Sequence, residues 1–415
     1  MKSDAISRGI EEEISLMSIY ITHGHMTKLG GGKRRTVLAR AKMLGEQGFK
    51  VTILTVDNFQ NYSAISRHLR LNRQLNRNVK LVNMCDYYRS QKRTVYQKGL
   101  RQGRHFKQGK EISLIDEDGS QLIFARPKDL ITYWLEEILS DGDVVISEVR
   151  YFDYSLFDLE TKVKKIYQLH TSHYSANSTM DSSGKLKFSQ PILPTLKRQH
   201  GKDDCVLVLT KWQKCEILKA FPHLKKNLVY LPHSVPAKKI KYRVDDKQIC
   251  IASRLSPGKN LVDALKAFSI FREENPGYRL VICGQGKSRK ELEEKIAEMN
   301  LCDDVTLMGF VKNVDRVFQE SKFSLQSSYY EGFGMSVLES IANGCPVVSY
   351  NIRYGPNEII TEESGILTSS NNPYELAKAM SAEAVKVRDR RVVQKSAERY
   401  SVEMNKKKWL KLVSD

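Results

Sequence analysis

The chain has 415 residues, 41% hydrophobic and 28% charged, a size that fits two soluble domains rather than one core, with no apolar run long enough to span a membrane. A net charge of +19, from 67 basic against 48 acidic residues, favours a polyanionic partner or surface. Seven scattered cysteines (Cys85, Cys205, Cys215, Cys250, Cys283, Cys302 and Cys345) contain no C-x-x-C pair, so they read as reduced core thiols and indicate no zinc site.

The N-terminal MKSDAISRGIEEEISL is acidic where a secretory leader would be basic, and a cytoplasmic location is expected. In chain order, MSIYIT (17–22) reads as a first strand. The glycine turn LGGGKRR (29–35) follows, then a helix with Val37, Leu38, Ala41 and Leu44 at helical spacing, then a strand KVTILTV (50–56). This is a βαβ opening. Residues 78–126 break the rhythm with short β-like runs and read as a β-rich insertion. Within them DYYRSQKRTVYQKGLRQGRHFKQGK (86–110) sets eight Lys/Arg against one Asp, which suits an anionic partner or a solvated basic face equally. DED (116–118) and DGD (141–143) adjoin glycine and read as turns rather than cation ligands. The strands DVVIS (143–147), KKIYQLH (164–170) and CVLVLT (205–210) come next. His170 ends one of them, where a side chain either faces the cleft of an open sheet or is hydrogen-bonded within the fold.

YLPHSVPAKKIKYRVDDK (230–247) has the prolines and charges of a linker, after which the pattern restarts. QICIAS (248–253), YRLVICG (278–284), DVTLMG (304–309), FSLQSS (323–328) and PVVSY (346–350) are strands with helices between them. One helix places Leu261, Ala264, Leu265 and Phe268 on one face, with Asn260 as its expected N-cap. The alternation predicts an α/β protein of two facing Rossmann-like domains, with a ligand cleft at the carboxyl ends of the strands.

Two stretches carry candidate chemistry. In SRLSPGKNL (253–261), Arg254 and Lys259 lie on a strand-to-helix loop, where they either converge on a diphosphate or are ordinary surface charges. In YYEGFGMSVLESIANGCPVV (329–348), Gly332 and Gly334 let backbone N–H groups approach an anion at a helix N-terminus. Glu339, beside apolar Leu338, sits on a solvated face or is paired; a ribose diol would offer its two oxygens two donors. LGGGKRR is not G-x-G-x-x-G, and Asp57 only weakly echoes a dinucleotide-binding acid, which argues against an NAD-linked oxidoreductase. Helix-turn-helix and aromatic-interleaved signatures are also missing, so nucleic acid is not an expected partner.

The glycine loop after the first strand, the strand-end His170, R-x4-K opening a helix, and E-x7-E with EGFG together resemble the retaining nucleotide-sugar glycosyltransferases of family 4, which have the GT-B fold. LPHSV, YYEGFGMSVLESIANGCPVVSYNIRYGPNEII and the stretch after VNMCDYY are similar, more narrowly, to bacterial poly(glycerol-phosphate) alpha-glucosyltransferases, wall teichoic acid glycosyltransferases and accessory-secretion glycosyltransferases. Those relatives often carry a longer β-rich insertion. The resemblance implies an N-terminal domain over 1–235, a nucleotide-sugar domain over 236–398 and a last helix, 399–415, crossing back to the first. It implies transfer of a hexose from UDP-glucose or UDP-N-acetylglucosamine without a metal or other cofactor. Arg254 and Lys259 would hold the diphosphate, Glu339 the ribose and Glu331 the sugar hydroxyls. The segment Gly332, Phe333, Gly334, Met335 and Ser336 would contact sugar and phosphate. Gly31 and Gly32 would approach the phosphates from the other domain, His170 would line the reacting sugar, and the uracil would lie near Gly309, Phe310 and Val311. The expected acceptor is an anionic polymer, teichoic acid, drawn by the basic surplus; serine-rich protein, lipid and glycan acceptors are the alternatives. Peripheral contact with an anionic membrane and homo-oligomerisation complete the expectations.

Overall fold

The computed structural model of the chain describes residues 17–24, 32–56, 75–97, 110–174 and 189–414. The strands of the first half are β1 (Ser18–His23), β2 (Lys50–Thr55), β3 (Val79–Asn83), β4 (Thr94–Tyr96), β5 (Ile112–Ile115), β6 (Gln121–Phe124), β7 (Val144–Ser147), β8 (Lys164–Gln168), β9 (Cys205–Val208) and β10 (Leu228–Tyr230). Seven of them form a parallel sheet in the order β10-β9-β8-β7-β1-β2-β3. Its central strands are covered on both faces, and every residue of β7 and of β9 is buried, which is why they read as continuous apolar runs. The stretch 78–126 divides. Val79 and Leu81 are buried and carry β3 into the main sheet beside β2, so only β4, β5 and β6 stand apart as an antiparallel sheet.

The second half supplies β11 (Asp245–Ala252), β12 (Arg279–Cys283), β13 (Val305–Gly309), β14 (Ser321–Gln326), β15 (Val347–Ser349) and β16 (Gly365–Leu367), a parallel sheet in the order β13-β12-β11-β14-β15-β16. Six helices matter for the site: α1 (Gly32–Glu46), α2 (Lys211–Ala220), α3 (Leu261–Glu274), α4 (Met335–Ala342), α5 (Pro356–Ile359) and α6 (Val402–Ser414). Two sheets of this kind, facing each other, are the GT-B fold.

Asn260 does not cap α3 with its side chain. It adopts the left-handed conformation (φ 48°) at the end of a 3-10 turn, which asparagine tolerates, and its side-chain amide donates to Asp263 at 2.7 Å. All seven cysteines are free, but Cys215 and Cys302 are exposed rather than core residues; Cys215 lies on the outer side of α2. The two D-x-D stretches are turns. Asp118 accepts the N–H of Ser120 at 2.9 Å, and Asp143 accepts those of Ser18 at 3.0 Å and Ser140 at 2.9 Å. Among the described residues no cluster of His, Cys, Asp and Glu is spaced for a metal ion, and no helix is long and apolar enough to cross a membrane.

Several contacts among the described residues hold the halves together. Trp409 and Val413 of α6 are buried in one core with Ile19, Val37 and Leu44 of the first domain. The Glu358 carboxylate of α5 accepts the N–H groups of Lys211 at 3.0 Å and Trp212 at 2.7 Å, satisfying the first turn of α2 across the interface. Tyr354 donates its hydroxyl to Glu216 and stacks on His173 with ring centroids 5.7 Å apart.

Candidate active site

The second-domain part of the cleft is built from two loops at the carboxyl ends of adjacent strands, β11 and β14. The loop after β11 carries Arg254, and its 3-10 turn Pro257–Lys259 ends at Lys259. The two loops are stitched together: Ser327 donates its hydroxyl to the Lys259 carbonyl at 3.1 Å, and the N–H of Tyr329 donates to the Gly258 carbonyl at 3.2 Å. This brings Lys259 into an ion pair with Glu331, 72 residues away. Gln326 Nε2 at 2.7 Å and Ser328 Oγ at 3.0 Å donate to the same carboxylate oxygen, Oε1. The Glu331 main chain is held as well, donating to the Arg353 carbonyl and accepting from Tyr354 N–H, both at 2.9 Å. Both side chains of the Lys259–Glu331 pair are largely sheltered, so each fixes the other's position more than it stabilises the fold. Arg254 is exposed and forms no ion pair among the described residues.

Gly334, at φ 90°, is the residue before α4 and takes a conformation that a side chain would strain. In the first turn of α4, Ser336 donates its hydroxyl to the Ala252 carbonyl at 2.6 Å, tying the helix start to the end of β11. The Phe333 side chain is buried and meets His233 edge-on at 5.6 Å and Tyr400 at 5.7 Å, so only its backbone is available to a ligand. Glu339 is not on a solvated face. Its side chain is 16% exposed and pairs with Arg35 of α1, Nη2 to Oε1, at 3.2 Å. Burial raises the Glu339 pKa, a shift opposed first by Arg35 and then by Lys238.

The first-domain wall is formed by the ends of β1, β7 and β8. The N–H of Glu148, the residue after β7, donates to Thr22 Oγ1 at 3.1 Å. The Glu148 side chain is fully buried and binds two partners, His170 Nε2 and Arg40 Nη1. Arg40 also lies over the Trp409 ring of α6 at 4.0 Å. Burial lowers the Arg40 pKa to about 9, which leaves it cationic at neutral pH and compensates the buried carboxylate. His170 stacks on His233 at 5.5 Å. Burial, and then His170 and Arg40, hold the His233 pKa well below the ordinary imidazole value, so His233 is neutral.

The structure therefore brings Lys259, Glu331, Gly332, Gly334, Met335 and Ser336 together and sets His170 against them: a Cβ on Gly332 would stand 2.0 Å from the His170 carbonyl oxygen. Gly309 (φ 69°) ends β13, at the edge of the same sheet, and the exposed Phe310 and then Val311 follow it. Gly32 is the first residue of α1; Gly31 and Asp57 lie outside the described residues, as does 98–109 of the basic stretch. Sequence reasoning missed Glu148, Arg40, Arg35, Gln326 and Ser328. Glu148 follows a strand as His170 does, the same signal, and Arg40 interrupts the apolar stripe of Val37, Ala41 and Leu44, where a charge needs a buried partner.

The two facing parallel sheets have the GT-B architecture. Residues 236–397 match the family described as glycosyl transferases group 1. The chain is 28% identical over 264 residues to the poly(glycerol-phosphate) alpha-glucosyltransferase of Bacillus subtilis (strain 168), covering 61% of this chain and 38% of that protein. It is 25% identical over 302 residues to the poly(ribitol-phosphate) alpha-N-acetylglucosaminyltransferase of Staphylococcus aureus (strain COL), covering 68% of this chain and 58% of that protein. The chain thus spans less than two thirds of either relative. Among solved structures it superposes on a mutant of S. aureus TarM in complex with fondaparinux, alpha-GlcNAc-glycerol and UDP, with a TM-score of 0.78 at 18% identity, over 96% of this chain and 100% of that one. It also superposes on the pneumococcal O-GlcNAc transferase GtfA in complex with UDP and GlcNAc, with a TM-score of 0.74 at 16% identity, over 96% and 98% of the two chains.

Proposed function

We propose that this protein is a retaining glycosyltransferase that moves glucose or N-acetylglucosamine from a UDP-sugar to a hydroxyl of an anionic cell-surface polymer, a poly(glycerol phosphate) or poly(ribitol phosphate) teichoic acid. The observation that carries the reading is the stitching of the Lys259 loop to the Glu331 loop, which sets a cation, a carboxylate and a helix start side by side at one sheet's carboxyl edge.

In this reading Arg254 and Lys259 neutralise the leaving diphosphate, with the N–H groups at the start of α4 adding fixed dipoles, so the developing charge is stabilised without a metal. Glu331 is held through Oε1, and its Oε2 accepts from a sugar hydroxyl. Glu339 accepts the ribose hydroxyls, and the uracil rests against Gly309, Phe310 and Val311. His170, fixed by Glu148, lines the sugar from the opposite wall. No side chain in the cleft is assigned as a nucleophile. Substitution occurs on the face the UDP leaves, through a short-lived oxocarbenium-like pair, and a donor phosphate oxygen takes the acceptor's proton.

The acceptor assignment rests on the net charge of +19 and on the names of the two curated relatives. The protein is to be incubated with UDP-glucose and UDP-N-acetylglucosamine separately, each with teichoic acid or with serine-rich peptide, and UDP release followed. The reading expects one donor with teichoic acid to exceed background hydrolysis. Release only with peptide would reassign the acceptor, and no donor turnover with any acceptor would overturn the donor reading.

A further inference from the structure

The ion pair between Arg35 and Glu339 joins the first turn of the glycine-loop helix to the carboxylate that the proposed function assigns to the ribose. The two compete for the same pair of oxygens. A ribose diol donates to Glu339 through two hydroxyls, and the Arg35 guanidinium already donates to Oε1 from the opposite domain. The two partners differ in how easily they give way. Glu339 is largely buried within α4, between Leu338 and Ser340, and keeps its place, whereas the Arg35 side chain is 62% exposed, so water replaces its lost contact at little cost.

We propose that Arg35 is a displaceable latch and a further donor-binding residue: it occupies Glu339 while the donor site is empty, and the arriving ribose hands it over to the nucleoside diphosphate. This deepens the proposed function and rests on it. Arg35 stands three residues into α1, and its fork, once released from Glu339, is suited to bidentate contact with phosphate oxygens. Lys259 shares its charge with Glu331, so Arg254 and Lys259 together bring less than two full positive charges to the dianionic diphosphate. Arg35 supplies the remainder from the first domain. The same movement ties closure to occupancy, because the cation that bridged the domains through Glu339 now bridges them through the ligand.

The test separates the two halves of the handover by comparing uridine, which has the ribose but no phosphate, with UDP, by calorimetry on the intact chain. In Arg35→Gln, loss of the competitor should tighten uridine about threefold, while loss of the phosphate contact should weaken UDP about tenfold, so the preference for UDP over uridine shrinks about thirtyfold. Arg35→Lys should restore part of that preference. An unchanged preference in Arg35→Gln, or uridine binding that is unaltered or weaker, would overturn the proposal, with the melting temperature of each variant confirming that it is folded. Failure of the unaltered chain to bind UDP would instead overturn the donor reading itself.

Discussion

The backbone of Gly332 lies against the carbonyl of His170 so closely that a methyl group at 332 would stand 2.0 Å from that oxygen. The contact joins the glycine loop of one domain to a strand end of the other across the cleft. Gly332→Ala should therefore part the walls, costing about 1–3 kcal/mol as overpacking and lowering turnover while UDP binding in the second domain persists. Calorimetric binding beside UDP-release kinetics checks this; equal turnover would show that the walls part freely.

Lys259→Ala should cut turnover at least about 100-fold, the effect of removing one donor to developing charge. Glu331 keeps Gln326 and Ser328 as donors, so the melting temperature should hardly move. Steady-state UDP release and a thermal scan on the same preparation give both numbers.

Glu148 answers to two partners and will show it. Glu148→Ala strands the buried Arg40 charge and should cost about 3–5 kcal/mol, measured by denaturant unfolding. Glu148→Gln keeps hydrogen bonding and should fold. Its turnover should fall with little change in UDP affinity, because the proposed function sets His170 beside the sugar rather than the nucleotide.

Glu358 holds the start of α2 from the other domain. Glu358→Ala removes an acceptor for two helix N–H groups and should cost about 1 kcal/mol, a drop of about 1–3 °C in Tm. Glu358→Gln should recover part of it.

Histidine burial predicts acid lability. Burial, and then Arg353, lowers the His173 pKa from 6.5 to about 3. The unfolded chain therefore takes up a proton between those values that the folded chain refuses. Stability from this group is complete above pH 6.5 and is lost as the pH falls towards 3, by about 2 kcal/mol between pH 6.5 and 5. Tm measured across that range should fall, and the slope should flatten in His173→Gln.

The division of the chain into two α/β halves was legible because apolar runs of strand length alternate with helical stripes, a local signal that parallel packing requires. So was the grouping of Lys259 with Glu331 and the two glycines, since they lie on two strand-to-helix loops, where open sheets place their ligands. Asn260 misled because a left-handed turn and an N-cap call for the same residue type, and only the backbone angle tells them apart. β3 was folded into the insertion because one short strand carries no mark of which sheet it will join.

Pairings between distant residues were beyond the sequence. Nothing local says that Lys259 will meet Glu331, that Arg40 will compensate Glu148, or that Arg35 will take Glu339, because each depends on where two strand ends or two domains come to rest. The sequence by itself determined which side chains stand at the carboxyl ends of the strands, since hydrophobic period and loop position are properties of neighbouring residues. Only the tertiary structure decided which of those charges neutralise one another, because a carboxylate's partner is whatever cation packing brings within reach.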